Sequence, residues 1–182
     1  MEAPTTMTKT LVSTETSGID FKTGRINLNG TCPICKQKNN WSGIKLFTMN
    51  FLPCKNCGQK YNVPLSGELR ANIENNIMKV LEKYGKAAIW GINYHTSDLL
   101  KNSTVLQNKN LYLVDISEIK MKMDLSGKTI SAPEIINSEG IKAVIISVPV
   151  YFTQIASQIG ANYKNVVEVI DICHLADPNY KI

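Results

Sequence analysis

The chain has 182 residues, 43% of them hydrophobic and 19% charged, the composition of a globular protein with length for one medium core and a small appendage. No window approaches the roughly 18 consecutive apolar residues of a membrane span, and the first twenty residues, rich in Thr and Ser, lack the apolar stretch of a secretory signal. The formal charge of +5 is unevenly spread: residues 1–29 and 66–182 each balance, and the excess is Lys36, Lys38, Lys45, Lys55 and Lys60, which meet no Asp or Glu between Gly30 and Leu65.

Residues 1–25 read as a disordered lead-in and 26–65 as a zinc ribbon. The ribbon rests on Cys32-Pro-Ile-Cys35 and Cys54-Lys-Asn-Cys57-Gly58, with eighteen residues between the pairs, a spacing that fits a zinc site. Two residues between thiolates let a tight turn aim both sulfurs at one tetrahedral ion while backbone N–H groups soften their charge. Four thiolates leave no position for water or substrate, so the expected Zn2+ is structural. Paired cysteines also point to a reducing cytoplasm, where metal is favoured over disulfides. Redox dithiols are the competing reading.

Gly58 supplies a permissive backbone after the second pair; Lys36 holds the matching place after the first, which predicts a slightly irregular first knuckle. Trp41 to Met49 reads as a short hairpin, and Val63 to Glu68 closes the ribbon. The interleaved lysines and aromatic residues admit a nucleic-acid-binding ribbon as an alternative. A divalent ion with four thiolates carries about −2, which offsets part of that positive field.

Residues 66–182 read as a Rossmann-like α/β domain. Ser66 is placed to cap a helix reaching Tyr84, with Leu69, Ile73, Ile77 and Leu81 on one apolar face and Gly85 ending it. Strands follow at Ala87–Trp90 and Leu111–Val114 around a helix starting near His95; Ile141–Pro149 gives a third strand, Tyr151–Ile159 a helix and Val166–Ile172 a closing strand. Alternating strands and helices predict a parallel sheet, with ligands at the strands' carboxyl ends.

There the stretch Gly91-Ile-Asn93-Tyr-His95-Thr96 keeps only the first glycine of a dinucleotide fingerprint, and Asp115 stands twenty-four residues beyond Gly91. Gly91, Asn93, His95, Thr96 and Asp115 are therefore the candidate cofactor-binding residues. A phosphate is expected at the helix start and the Asp115 carboxylate on ribose hydroxyls. His95 and the Cys173–His174 pair offer polar or nucleophilic groups, but neither has a second acid, base or orienting group assigned beside it, so no catalytic residue is assigned.

The segments Lys86 to Thr96, Leu113-Val-Asp115, Gly127 to Glu134 and Val144 to Ser147 resemble the small Rossmann-like module that ends some sugar C-methyltransferases and occurs in radical S-adenosylmethionine proteins. The resemblance spans residues 86 to 172. It implies an accessory domain whose chemistry resides in a catalytic partner domain or protein, with a nucleotide or nucleotide-sugar as ligand. A small NAD(P)-dependent oxidoreductase is the enzyme alternative. No membrane partner is expected.

Overall fold

The computed structural model describes residues 9–10, 14–21, 23–48, 51–62, 65–101 and 103–182. The amino-terminal part forms two small sheets. In the first, β2 (Thr14–Asp20), β3 (Arg25–Thr31) and β4 (Lys38–Lys45) run antiparallel in that order; in the second, β1 (Lys9–Thr10) lies beside β6 (Lys60–Asn62), which pairs with β5 (Leu52–Pro53). The lead-in expected over 1–25 thus contains a seven-residue strand, β2; residues 1–8, 11–13 and 22 of it lie outside the described residues.

The hairpin expected over Trp41–Met49 is instead a strand and a turn. Trp41 to Lys45 all belong to β4, which pairs with β3 through a register shift between Ile26 and Leu28, and the chain turns only after Lys45. Gly43, with φ of 66°, sits where the ladder slips, so the glycine marks a bulge and not a hairpin turn.

Helix α1 (Gly67–Tyr84) starts where expected, with the Ser66 hydroxyl accepting from the Leu69 N–H, and ends as Gly85 turns to φ of 77°. Leu69, Ile73, Ile77 and Leu81 are buried along it, each contributing about 1.5–3 kcal/mol of apolar transfer. Asn76 is also buried: its amide donates to the carbonyls of Leu175 and Asp177 at 2.9 and 2.8 Å, while Asn72 donates to Ala176 at 3.2 Å. These bonds strap the 3-10 turn at His174–Ala176 to α1.

The main sheet has the order β12 (Glu168–Asp171), β11 (Ala143–Ile146), β7 (Ala87–Trp90), β8 (Leu111–Val114), β10 (Lys128–Ser131) and β9 (Asp124–Leu125). Every neighbouring pair is parallel except β9 with β10. Numbered by their own succession the five parallel strands run 3-2-1-4-5, the doubly wound order, with the reversal between β7 and β11. Strand alternation divides the side chains: Ala87 and Ile89 face α1 and α2 (Tyr94–Lys101), whereas Ala88 and Trp90 face α4 (Ile135–Ser138) and α5 (Phe152–Asn162). Helix α3 (Glu118–Met121) follows β8 and buries none of its side chains.

The two parts share an apolar interior. One cluster runs from Ile26, Leu28 and Trp41 through Leu46, Phe47 and Leu65 into α1 and the sheet face beneath it. At the seam, a Cβ on Gly24 (φ +64) would lie 2.8 Å from both Cβ and Sγ of Cys173, so the β2–β3 turn touches the second residue past β12 with no room for a side chain. Among the described residues, no helix is long and apolar enough to cross a membrane.

Candidate metal centre and the groove at the strand ends

Each C-x-x-C pair sits at the tip of a hairpin, and the two hairpins share one geometry. Thr31 pairs with Lys38 across the first knuckle and Pro53 with Lys60 across the second. In the first, Cys32 N–H donates to Gln37 C=O at 3.0 Å and Lys36 N–H to Cys32 C=O at 2.9 Å; in the second, Cys54 N–H donates to Gln59 at 2.8 Å and Gly58 N–H to Cys54 at 2.9 Å. Lys36 adopts φ of 59° where Gly58 has 70°. The first knuckle is therefore regular, and the lysine bears about 1–2 kcal/mol of left-handed strain to keep it so.

The four Sγ atoms all lie within 4.8 Å of one another. Cys32 to Cys57 measures 3.7 Å and Cys35 to Cys54 3.6 Å, far beyond the roughly 2.05 Å of a disulfide. They match the edge of about 3.8 Å in a tetrahedron with metal–sulfur bonds of about 2.3 Å. The donor set thus fits one tetrahedral, thiophilic ion.

Further groups hold the sulfurs in place. The Tyr61 hydroxyl donates to Cys32 Sγ at 2.8 Å and the Cys35 N–H at 3.3 Å. Asn39, buried, donates from its amide to Cys54 Sγ at 3.4 Å and accepts the Lys55 N–H at 2.8 Å, so one residue of β4 spans to the second knuckle. Burial opposes a Cys32 thiolate, but the bonds from Tyr61, Cys35 and Ile34 outweigh it and bring the thiol down to about 6. The Cys57 N–H, with help from Asn56 and Asn39, lowers Cys54 against its burial. At Cys57 the Gln59 N–H favours the thiolate, yet burial and the three facing sulfurs push it up to about 11. Without a cation, four clustered sulfurs do not all ionise. Tyr61 and Asn39 were not foreseen; an amide and a tyrosine, each four residues past the last cysteine of its knuckle, carry no periodic signal.

The candidate crevice residues divide. Gly91 and Asp115 line a groove of about 270 Å3 between β8 and α5, and Asn93 lines a second depression of about 320 Å3 on the side of α2 and β9. Lys120 borders both, paired with Asp115 at 2.9 Å, so this ion pair is the wall between them. His95 and Thr96 are buried. The Asp115 carboxylate, in a side chain only 6% exposed, also accepts the N–H groups of Ile92 at 2.8 Å and Ser117 at 2.9 Å. It braces the turns after β7 and β8.

The start of α2 is similarly engaged. Asn93 caps it, accepting the Thr96 N–H at 2.9 Å, and its amide donates to Ser147 C=O at 2.9 Å and Phe47 C=O at 3.2 Å. The Phe47 ring stands edge-on to His95 at 6.0 Å. The ribbon's turn after β4 thus covers the helix terminus. Beside it, a Cβ on Gly91 (φ +91) would lie 2.6 Å from Val148 Cγ2, so Val148 fills the space that backbone approach to a pyrophosphate requires. Cys173, buried against Gly24, has its thiol pushed up by burial and by Asp171; it packs as an apolar filler.

In comparisons with known proteins, no family model, no curated protein and no solved structure matches the chain. What stands is a four-cysteine cluster on a small antiparallel sheet, followed by a mostly parallel, Rossmann-like α/β sheet.

Proposed function

We propose that the four cysteines hold one structural zinc ion and that the chain is a metal-braced binding module, working as a part or partner of a sugar- or metabolite-modifying enzyme of methyltransferase-like or radical S-adenosylmethionine type. The observation that carries the metal assignment is the cluster of four sulfurs within 4.8 Å of one another, braced by Tyr61 and Asn39; four thiolates on one tetrahedral ion leave no coordination position for substrate. An all-sulfur tetrahedral site also suits iron. Metal analysis with visible absorption separates the two: one zinc per chain and no thiolate-to-iron colour are expected. Cys54→Ser abolishes the stoichiometry and Cys173→Ser leaves it intact; metal content unchanged by Cys54→Ser overturns the assignment.

A ligand site in the groove between β8 and α5 is favoured by its place at the reversal of strand order, where doubly wound sheets open at their carboxyl ends. A nucleotide or nucleotide-sugar is the ligand class proposed. Binding without catalysis is favoured because the groove's titratable side chains are Tyr151 and the mutually paired Asp115 and Lys120. A thermal-shift screen across nucleotides and nucleotide-sugars tests this reading.

A further inference from the structure

We infer that the groove beside α5 takes a flat, uncharged heterocycle of nucleoside size, its ring between Ile116 and Tyr151 and its polar edge toward Gln154 and Gln158. The inference rests on the binding-module reading above and names which part of the ligand carries the affinity.

Size comes first. A groove of about 270 Å3 falls just under the roughly 300–1,000 Å3 of sites that enclose drug-sized ligands, which leaves space for a base and sugar without a diphosphate tail. The walls are the second observation. Trp90 is buried beneath the groove, while Ile116 and Tyr151 on its rim are 68% and 57% exposed. Large apolar surfaces flanking one opening are what a π-face covers, and ring stacking tolerates any base.

Polarity is the third. Gln154 and Gln158 are both exposed on α5, four residues apart and thus on one face. Each amide offers donors and an acceptor, the complement of a nucleobase edge. Charge is the fourth. Lys120 is the one cation among the described lining residues, and Asp115 already holds it at 2.9 Å. The start of α2 is closed by Asn93 and Phe47. A phosphate therefore meets a carboxylate and no unpaired cation there.

The test is calorimetric titration of the zinc-loaded full chain with adenosine, guanosine, uridine and thymidine, each beside its mono- and diphosphate. At least one nucleoside is expected to bind, with its phosphates no more than about threefold tighter. Tyr151→Ala and Gln154→Ala, both at exposed positions and checked for fold by circular dichroism, are each expected to weaken it about tenfold, within the range for a lost stacking contact at Tyr151 and a lost hydrogen bond at Gln154. Diphosphates binding tenfold tighter than nucleosides, or full affinity in folded Tyr151→Ala, overturn the inference and leave the nucleotide reading standing. No binding of any nucleoside or nucleotide at millimolar concentration, with no thermal shift from any nucleotide-sugar, removes both.

Discussion

In the ribbon, strands β5 and β6 have two and three residues and end at knuckles whose geometry is set by sulfur positions; in the main sheet, β7 and β11 have only four residues each yet every one is buried. The first arrangement draws its order from local backbone bonds and from the side chains that gather four sulfurs into one possible metal site, the second from apolar area on two faces. They nevertheless meet in one continuous cluster through Leu46, Phe47 and Leu65. Independent sources of stability therefore do not make independent bodies: the ribbon also covers chain at the strands' carboxyl ends, Phe47 past β7 and Gly24 past β12.

Removing the metal is the strongest way to break this pairing. Apparent binding energies for structural zinc in small domains are about 10–16 kcal/mol, large beside what two small three-stranded sheets supply by themselves. Chelation is expected to release the ribbon amides to hydrogen exchange while far-UV circular dichroism keeps its helical signal, with a lowered Tm because Phe47 no longer covers α2. Complete loss of helical signal would show that the sheet cannot stand without the ribbon.

Gly24→Ala attacks the seam alone. Left-handed strain and overlap with Cys173 together predict a loss of about 3 kcal/mol by denaturant unfolding, with metal stoichiometry unchanged. Wild-type stability would mean that the β2–β3 turn is free to shift. Asp115→Ala acts wholly within the α/β half, stranding the Ile92 and Ser117 N–H groups. About 2 kcal/mol is expected, discounted for the half-exposed Lys120 partner. An unchanged Tm would identify the brace as dispensable. The smallest effect belongs to the first knuckle, where Lys36→Gly relieves left-handed strain and is expected to raise stability by about 0.5–1 kcal/mol, net of added unfolded-state entropy; a decrease would reveal a role for the lysine side chain.

Much of this was legible where the cause is local. The knuckles announce themselves because two-residue spacing is itself the chelating geometry, and α1 is readable from its apolar period and the Ser66 and Gly85 caps. Strands β7, β8 and β11 stand out as apolar runs. Strand β10, Lys-Thr-Ile-Ser, has one buried residue, Ile130, and no alternation to mark it. Strand β2 hid for a related reason: its partners lie across a turn, and its Thr-rich sequence bears little apolar pattern. The candidate crevice failed to appear as one site because its separation depends on long-range contacts, Phe47 onto α2 and Val148 onto Gly91, which no spacing within a motif encodes.

The strap between α1 and the turn at His174–Ala176 has a consequence for the order of synthesis. Both knuckles precede every strand of the main sheet along the chain, so all four cysteines are made before that sheet exists. Helix α1 follows at once, but its buried Asn76 finds its carbonyl partners only about a hundred residues later, after β11 has paired with β7 and β12 with β11. While residues 87–171 are being made, the nascent chain therefore carries its cysteine hairpins beside an unfinished sheet.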